Sequence, residues 1–220
     1  MSQLGFWLSL VGLGAYHGIN PGMGWLFAVA LGLQEKRRRA VLSALPPIAL
    51  GHALSVGMVV LLLALAQTRL PAKTLQIGAA GILFGFGLYR LLRSRHPNWV
   101  GMRVGFRDLT LWSFLMASAH GAGLMLLPLL LRADGVSVPV HQHRPHSEGA
   151  TLQTLASLDE PIRLLVAVCV HTAGHLAVAT GIALLVFEKL GVAILRHAWF
   201  NLDRVWVFAL LLSGILTLLV

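Results

Sequence analysis

The sequence predicts an all-α integral membrane protein with six transmembrane helices, arranged as two inverted three-helix repeats with a broken first helix. Three observations predict this fold. Of the 220 residues, 57% are hydrophobic and 11% are charged, whereas soluble domains carry about a quarter charged residues. The charges cluster between apolar runs that approach or exceed the roughly 20 residues needed to cross a bilayer. Two short histidine patterns recur, in the same order, in both halves of the chain.

The first three predicted spans lie within residues 1–100. The first apolar stretch runs from about residue 4 to residue 33, and a segment rich in glycine with one proline interrupts it after His17. The second and third stretches cover about residues 40–67 and 75–92. Because proline lacks a backbone donor and glycine tolerates unusual dihedrals, we expect an unwound first helix. A simple kink is the alternative.

The remaining three predicted spans lie within residues 101–220, so that one membrane domain covers residues 1–220. The spans run over about residues 109–131, residues 162–187 and the stretch that ends at Val220. Residues 132–161 form the long polar loop, which we place outside the cytoplasm. Residues 188–204 suit either an interfacial helix or the start of the last span.

Basic residues set the predicted orientation. The formal charge is +9, and most of the Lys and Arg residues flank the first, third and fifth spans. The positive-inside rule then places those loops in the cytoplasm and both termini outside it. We predict a multi-pass protein of a bacterial-type inner (plasma) membrane whose partner is the lipid bilayer and not nucleic acid. A homo-oligomer is left open.

The two halves are related by two local similarities. Residues 15–18 (Ala-Tyr-His-Gly) resemble residues 118–121 (Ser-Ala-His-Gly), and the Gly-His pair at 51–52 resembles that at 174–175. The offsets are 103 (120 − 17) and 123 (175 − 52). Three spans per repeat is an odd number, so the second copy enters the membrane from the opposite side, as in many secondary transporters. The alternative is chance recurrence of Gly-His pairs.

Histidines within the predicted spans are the candidate metal ligands: His17, His52, His120, His171 and His175. Ionisable groups inside a membrane usually face a pathway, a cavity or a partner. His171 and His175 are four residues apart and share one helical face. Thr172 follows His171 where zinc proteases carry Glu, so a protease site is excluded. A lone interhelical hydrogen bond is the alternative role for each histidine.

The predicted spans carry no Asp or Glu deep inside them. Sodium, calcium and magnesium sites need oxygen ligands, mostly carboxylates. Neutral imidazoles instead suit zinc, copper, nickel, cobalt or iron, and we predict a transition-metal ion of that group as the ligand. Proton exchange through the histidines themselves stays open, since imidazole titrates near neutral pH.

Two further groups of residues are candidates for weaker roles. Supporting contacts to the metal are assigned to residues in the break and to the single cysteine: Asn20, Pro21, Met23 and Cys169. A short histidine tract in the outer loop is a candidate for weak metal binding: His141, His143 and His146. A solvated loop is the alternative for that tract.

The first two spans resemble the nickel/cobalt efflux family, within the broader superfamily of lysine exporters. That family has His, a few residues, then Pro-Gly-His-Gly-Lys in its first span, followed by Gly-His-Ala in the next. The matching residues here are His17, Pro21, Gly22, Gly24, Gly51 and His52. Met23 stands in place of the family's second His, and Trp25 in place of its Lys. The resemblance implies a six- or seven-span transporter fold with His17 near the metal path.

The leading functional hypothesis is a transporter of a divalent transition-metal ion, bound by the intramembrane histidines at the repeat interface. No catalytic residues are predicted, and an enzyme is the less favoured reading. The alternatives are an intramembrane metalloenzyme or haem protein with a resident metal, an exporter of small organic or sulfur-containing solutes, and a structural membrane subunit.

Overall fold

The computed structural model describes residues 2–92, 105–132, 150–190 and 195–219. Every secondary-structure element in those ranges is helical. The helices are α1 (Gln3–Ile19), α2 (Trp25–Glu35), α3 (Arg38–Gln67), α4 (Ala72–Leu92), α5 (Phe106–Ala119), α6 (Leu127–Arg132), α7 (Ala150–Leu185) and α8 (Leu195–Leu218).

Two of the described helical segments are long and apolar enough to cross a membrane. They are α3, with 30 residues, and the segment Pro161–Lys189, with 29 residues. The pair Phe106–Ala119 and Leu124–Leu131 would be a third if it forms one span, which is bent by 50° at its break. Six spans therefore stay a prediction, and the described helices support an all-helical, membrane-compatible fold.

Two of the apolar stretches are broken, and each break carries a glycine with positive φ. Between α1 and α2, residues Pro21–Met23 form a 3-10 turn and Gly24 has φ of 120°. Between α5 and α6 the chain turns at Gly121, with φ of 69°. Side chains rarely adopt this region, so glycine allows both breaks at low cost. The predicted break after His17 is present.

The helices pack in three long pairs. α1 lies along α7, α3 lies along α5, and α4 lies along α8. Each pair joins one helix from the first half of the chain to one from the second half. The two halves therefore interdigitate, and the buried core lies between them.

One boundary differs from the sequence prediction. The predicted polar loop 132–161 is helical from Ala150, because α7 begins there. Leu152, Leu155 and Leu158 recur every three residues, a spacing that favours helix over an irregular loop. Residues 195–204 belong to α8, which continues to Leu218, and the assignment of α8 as the last span stays a prediction.

Candidate functional site

Four histidine rings from three helices converge in the interior. The ring of His17, on α1, lies 5.6 Å from that of His52, on α3, and 5.0 Å from that of His171, on α7. His52 also stacks on His171 at 5.4 Å and on His175 at 4.1 Å. All four side chains are fully buried. We call His17, His52, His171 and His175 the four-histidine cluster.

Backbone carbonyls orient two of these rings. The Nδ1–H of His17 donates to the carbonyl of Leu13 at 2.5 Å, and that of His171 donates to the carbonyl of Leu10 at 3.2 Å. A neutral imidazole that donates from Nδ1 carries its lone pair on Nε2. Both rings are thus held in the tautomer that leaves Nε2 free to bind a metal, as is usual for histidine ligands.

The cluster contains buried nitrogen atoms without hydrogen-bond partners. His17 and His171 each have one such atom, Nε2. His52 and His175 each have two, Nδ1 and Nε2, which gives six nitrogens in all. A buried polar group without a partner costs about 1–3 kcal/mol. Native interiors pair most such groups with protein, water or an ion, so six unpaired nitrogens on four neighbouring rings are an unusual feature of this core.

The described rings are not arranged as a finished metal site. Within residues 2–92, 105–132, 150–190 and 195–219, no group of three or more His, Cys, Asp or Glu side chains could hold a metal ion as positioned. His52 stacks in parallel on His171 and His175, whereas His17 meets His52 and His171 edge to face, so the ring nitrogens do not converge on one position. Binding by three or more of these rings would require side-chain rotation within the cluster.

Described carboxylates do not neutralise the cluster. The acidic side chains that the structure describes are those of Glu35, Asp108 and Glu188, and all are exposed at helix ends or beside them. The chemistry of the cluster is therefore that of neutral imidazole donors, which favour transition metals over hard cations.

Glycines allow the helices to bring these rings together. A Cβ added at Gly14 of α1 would collide with the carbonyl of His171, and one added at Gly18 would lie 2.5 Å from the carbonyl oxygen of His175. On α7, a Cβ at Gly174 would lie 2.6 Å from the carbonyl oxygen of Val11. In the α3–α5 pair, a Cβ at Gly51 would collide with the carbonyl of Thr110. Both Gly-His pairs of the sequence thus place glycine at a helix contact and histidine in the cluster.

His120 lies at the second break, beside the indole of Trp206. Its Nδ1–H donates to the carbonyl of Met116 at 2.8 Å. The indole Nε1–H of Trp206 donates to the His120 carbonyl at 2.5 Å, which satisfies an acceptor released at the end of α5. Trp206 also contacts the rings of His17, at 4.9 Å, and His120, at 5.6 Å.

The predicted supporting residues divide into two groups. Asn20, Pro21 and Met23 are buried in the first break, and Asn20 Oδ1 accepts a hydrogen bond from the Gly22 amide at 2.9 Å. Cys169 is exposed. It is two residues from His171 and so points away from the helical face that carries His171 and His175, and its supporting role stays a prediction. The outer-loop histidines His141, His143 and His146 lie outside the described residues.

Aromatic and hydroxyl residues around the cluster were not predicted from the sequence. Trp206 and Tyr16 stack in parallel at 4.9 Å, and the hydroxyl groups of Ser55 and Ser118 join α3 to α5 at 2.9 Å. Tyr16 precedes His17 in the motif at residues 15–18, so its position in the sequence could have indicated that it lies near the cluster. Trp206 lies in the last apolar stretch, and its neighbours in the sequence do not distinguish it from a tryptophan that only packs in the core.

Comparisons with protein-family models, with curated proteins and with solved structures each give no match to this chain. The resemblance of the first two spans to the nickel/cobalt efflux family therefore stays a prediction.

Proposed function

We propose that this protein is a membrane transporter of a divalent transition-metal ion, which binds to the four-histidine cluster between two inverted repeats. The observation that carries the proposal is the concentration of six unpaired, buried imidazole nitrogens on four converging rings. Retaining them without a ligand is unfavourable, and a metal ion would use the lone pairs directly.

Helix pairing supports the inverted repeat. If α1, α3 and α4 correspond to α5, α7 and α8, exchanging the halves converts the α1–α7 pair into the α5–α3 pair. The α4–α8 pair converts into itself. These are the three long pairs that the helices form, and such exchange is the expected property of two repeats related by a pseudo-twofold axis.

Local contacts support the same correspondence. The offset of 103 residues relates Leu13 to Met116, and each accepts a hydrogen bond from the histidine four residues later. The offsets also relate the contact of His171 with Leu10 to that of Ile48 with Ser113. In the first contact the α7 side chain donates to an α1 carbonyl. In the second the α5 hydroxyl donates to an α3 carbonyl at 2.6 Å, so equivalent positions are joined with donor and acceptor exchanged.

From this correspondence we infer where the ion would bind during a transport cycle. The repeat-equivalent rings of His52 and His175 stack on one another, so the ion would bind near the pseudo-twofold axis. Transporters built from inverted repeats bind substrate there and move one repeat against the other. The two breaks release backbone groups beside the cluster, which is tolerated at membrane depth where protein or a cavity satisfies them.

A resident haem fits this geometry less well. Haem iron needs two imidazoles on opposite sides of a porphyrin ring. The rings here stand 4.1–5.6 Å apart, centroid to centroid, which leaves no slot for a porphyrin between them. A resident metal ion without a porphyrin is the second candidate, and the complete burial of all four rings favours it.

Two measurements test the proposal. Elemental analysis of protein purified without added metal, and titration with zinc(II), nickel(II) and cobalt(II), should show one ion per chain in wild type and none in a His17→Ala/His52→Ala variant. Proteoliposomes should then take up the ion that binds. Absence of binding by all three ions overturns the metal site, whereas binding without flux favours the resident ion.

A further inference from the structure

We propose that Trp206 is an internal gate between the four-histidine cluster and a second ion-binding position at His120. This inference rests on the proposed transport function and extends it, because it specifies where the ion goes after it leaves the cluster.

The indole of Trp206 contacts a histidine next to each of the two breaks. Trp206 is buried, at 2% exposure, and comes from α8, which packs against α4 and α6. Its ring contacts those of His17 and His120, and both imidazoles stand at 80° to the indole plane. His17 and His120 are the two positions related by the repeat, so one side chain contacts both members of the pair.

An indole is suited to block an ion that moves by ligand exchange. Imidazole nitrogens donate lone pairs to a metal, but the indole Nε1 is only a hydrogen-bond donor. An ion bound by His17 therefore cannot use Trp206 as its next ligand. It must either remain in the cluster or reach His120 after the indole has moved.

Two interactions hold the indole in its blocking position. Tyr16 stacks on it in parallel, with 4° between the planes. The Nε1–H donates to the carbonyl of His120, at the end of α5. The hydrogen bond joins the last helix to the second break, so rearrangement of that break would release the indole.

The first break also comes close to His120. A Cβ added at Gly22 would lie 3.3 Å from Met116 Cε and 3.5 Å from His120 Cε1. The backbone released between α1 and α2 therefore lies beside the proposed second position. That position combines an imidazole with the unwound segment between α1 and α2.

Zinc(II) flux in proteoliposomes tests the gate, with an indicator inside the vesicles and zinc(II) outside. We expect Trp206→Leu to raise downhill flux at least tenfold while zinc(II) affinity changes by less than threefold. Trp206→Phe keeps an aromatic ring on Tyr16 but loses the hydrogen bond, and we expect an intermediate flux. Trp112→Leu is the matched control, because Trp112 is a partly buried indole that contacts Phe27 instead of the cluster.

The double variant Trp206→Leu/His120→Ala separates a gate from a general packing defect. If His120 is the next position, its loss returns the raised flux to the wild-type level or below. Wild-type flux in both Trp206 variants overturns the gate, and so does raised flux that persists without His120. Zinc(II) binding without flux in any variant overturns the gate and transport but keeps the metal site, and absence of binding overturns all three.

Discussion

The imidazole rings of His52 and His175 lie parallel, 9° apart in plane and 4.1 Å apart between centroids, at the contact between α3 and α7. They occupy corresponding positions of the two similar sequence segments. Both nitrogens of each ring are buried and lack hydrogen-bond partners. Among the described side chains, these two carry the most buried nitrogens without partners, and we expect the pair to be the most sensitive to a bound ion.

Replacing either ring of this pair should weaken metal binding. We expect His52→Ala and His175→Ala each to lower affinity by at least about 100-fold, since changes even in the outer shell of a metal site cost roughly 10–100-fold. Isothermal titration with zinc(II) and cobalt(II) measures the effect. Cys169→Ser is the control, because Cys169 is exposed on the same helix as His175, and an unchanged affinity in His52→Ala would contradict the site.

The same pair should behave differently when no metal is present. His52→Leu removes two unpaired buried nitrogens and fills a similar volume, so we expect metal-free protein to gain about 1 kcal/mol in stability. Thermal unfolding with a chelator present measures this, and added zinc(II) should stabilise wild type alone. A marked loss of metal-free stability would instead indicate that His52 has a structural role.

Glycines at the helix contacts should be intolerant of side chains. Gly14→Val and Gly174→Val place atoms against the backbone of the facing helix, and we expect both to unfold at clearly lower temperatures than wild type. Gly12→Val and Gly181→Val lie on the same two helices with nothing within 4 Å of an added Cβ. They control for the effect of valine on helix propensity, and equal losses in all four variants would contradict the packing.

Metal binding should weaken as the pH falls. A histidine must be neutral to bind a metal, so protons compete with the ion, and a site with several imidazoles loses affinity steeply on acidification. Between pH 8 and pH 4 we expect zinc(II) affinity to fall on acidification, once the buried imidazoles begin to protonate. Radiometric zinc binding across this range measures it, and affinity that is independent of pH would exclude imidazole ligands.

Cysteine labelling tests the predicted orientation. In a Cys169→Ser background, Ser2→Cys and Thr68→Cys should react with a membrane-impermeant thiol reagent in intact cells. Arg37→Cys lies in the basic loop after the first apolar stretch, and we expect it to react only after permeabilisation. All three positions are exposed, so accessibility within the protein does not distinguish them, and the reverse pattern would place the termini in the cytoplasm.

The site shows which structural features depend only on residues that are close together in the sequence. The break after His17 was predictable, because proline and glycine act within a few residues of themselves. The shared face of His171 and His175 was also predictable, since helical periodicity is local. The position of Trp206 was not predictable, because its contacts with His17 and His120 join residues that lie far apart in the chain. Cys169 lies on a different helical face from His171, because nearness in sequence does not give the same face.

The sequence alone determined the helical, apolar character of the chain, the position of the first break and the residue types available for chemistry. Composition and short-range pattern are sufficient for these, because each depends on the preferences of neighbouring residues. Only the tertiary structure decided that His17, His52, His171 and His175 converge and that His120 lies beside Trp206. Those relationships depend on close packing of α1 on α7 and of α3 on α5, where Gly14, Gly51 and Gly174 let the backbones approach.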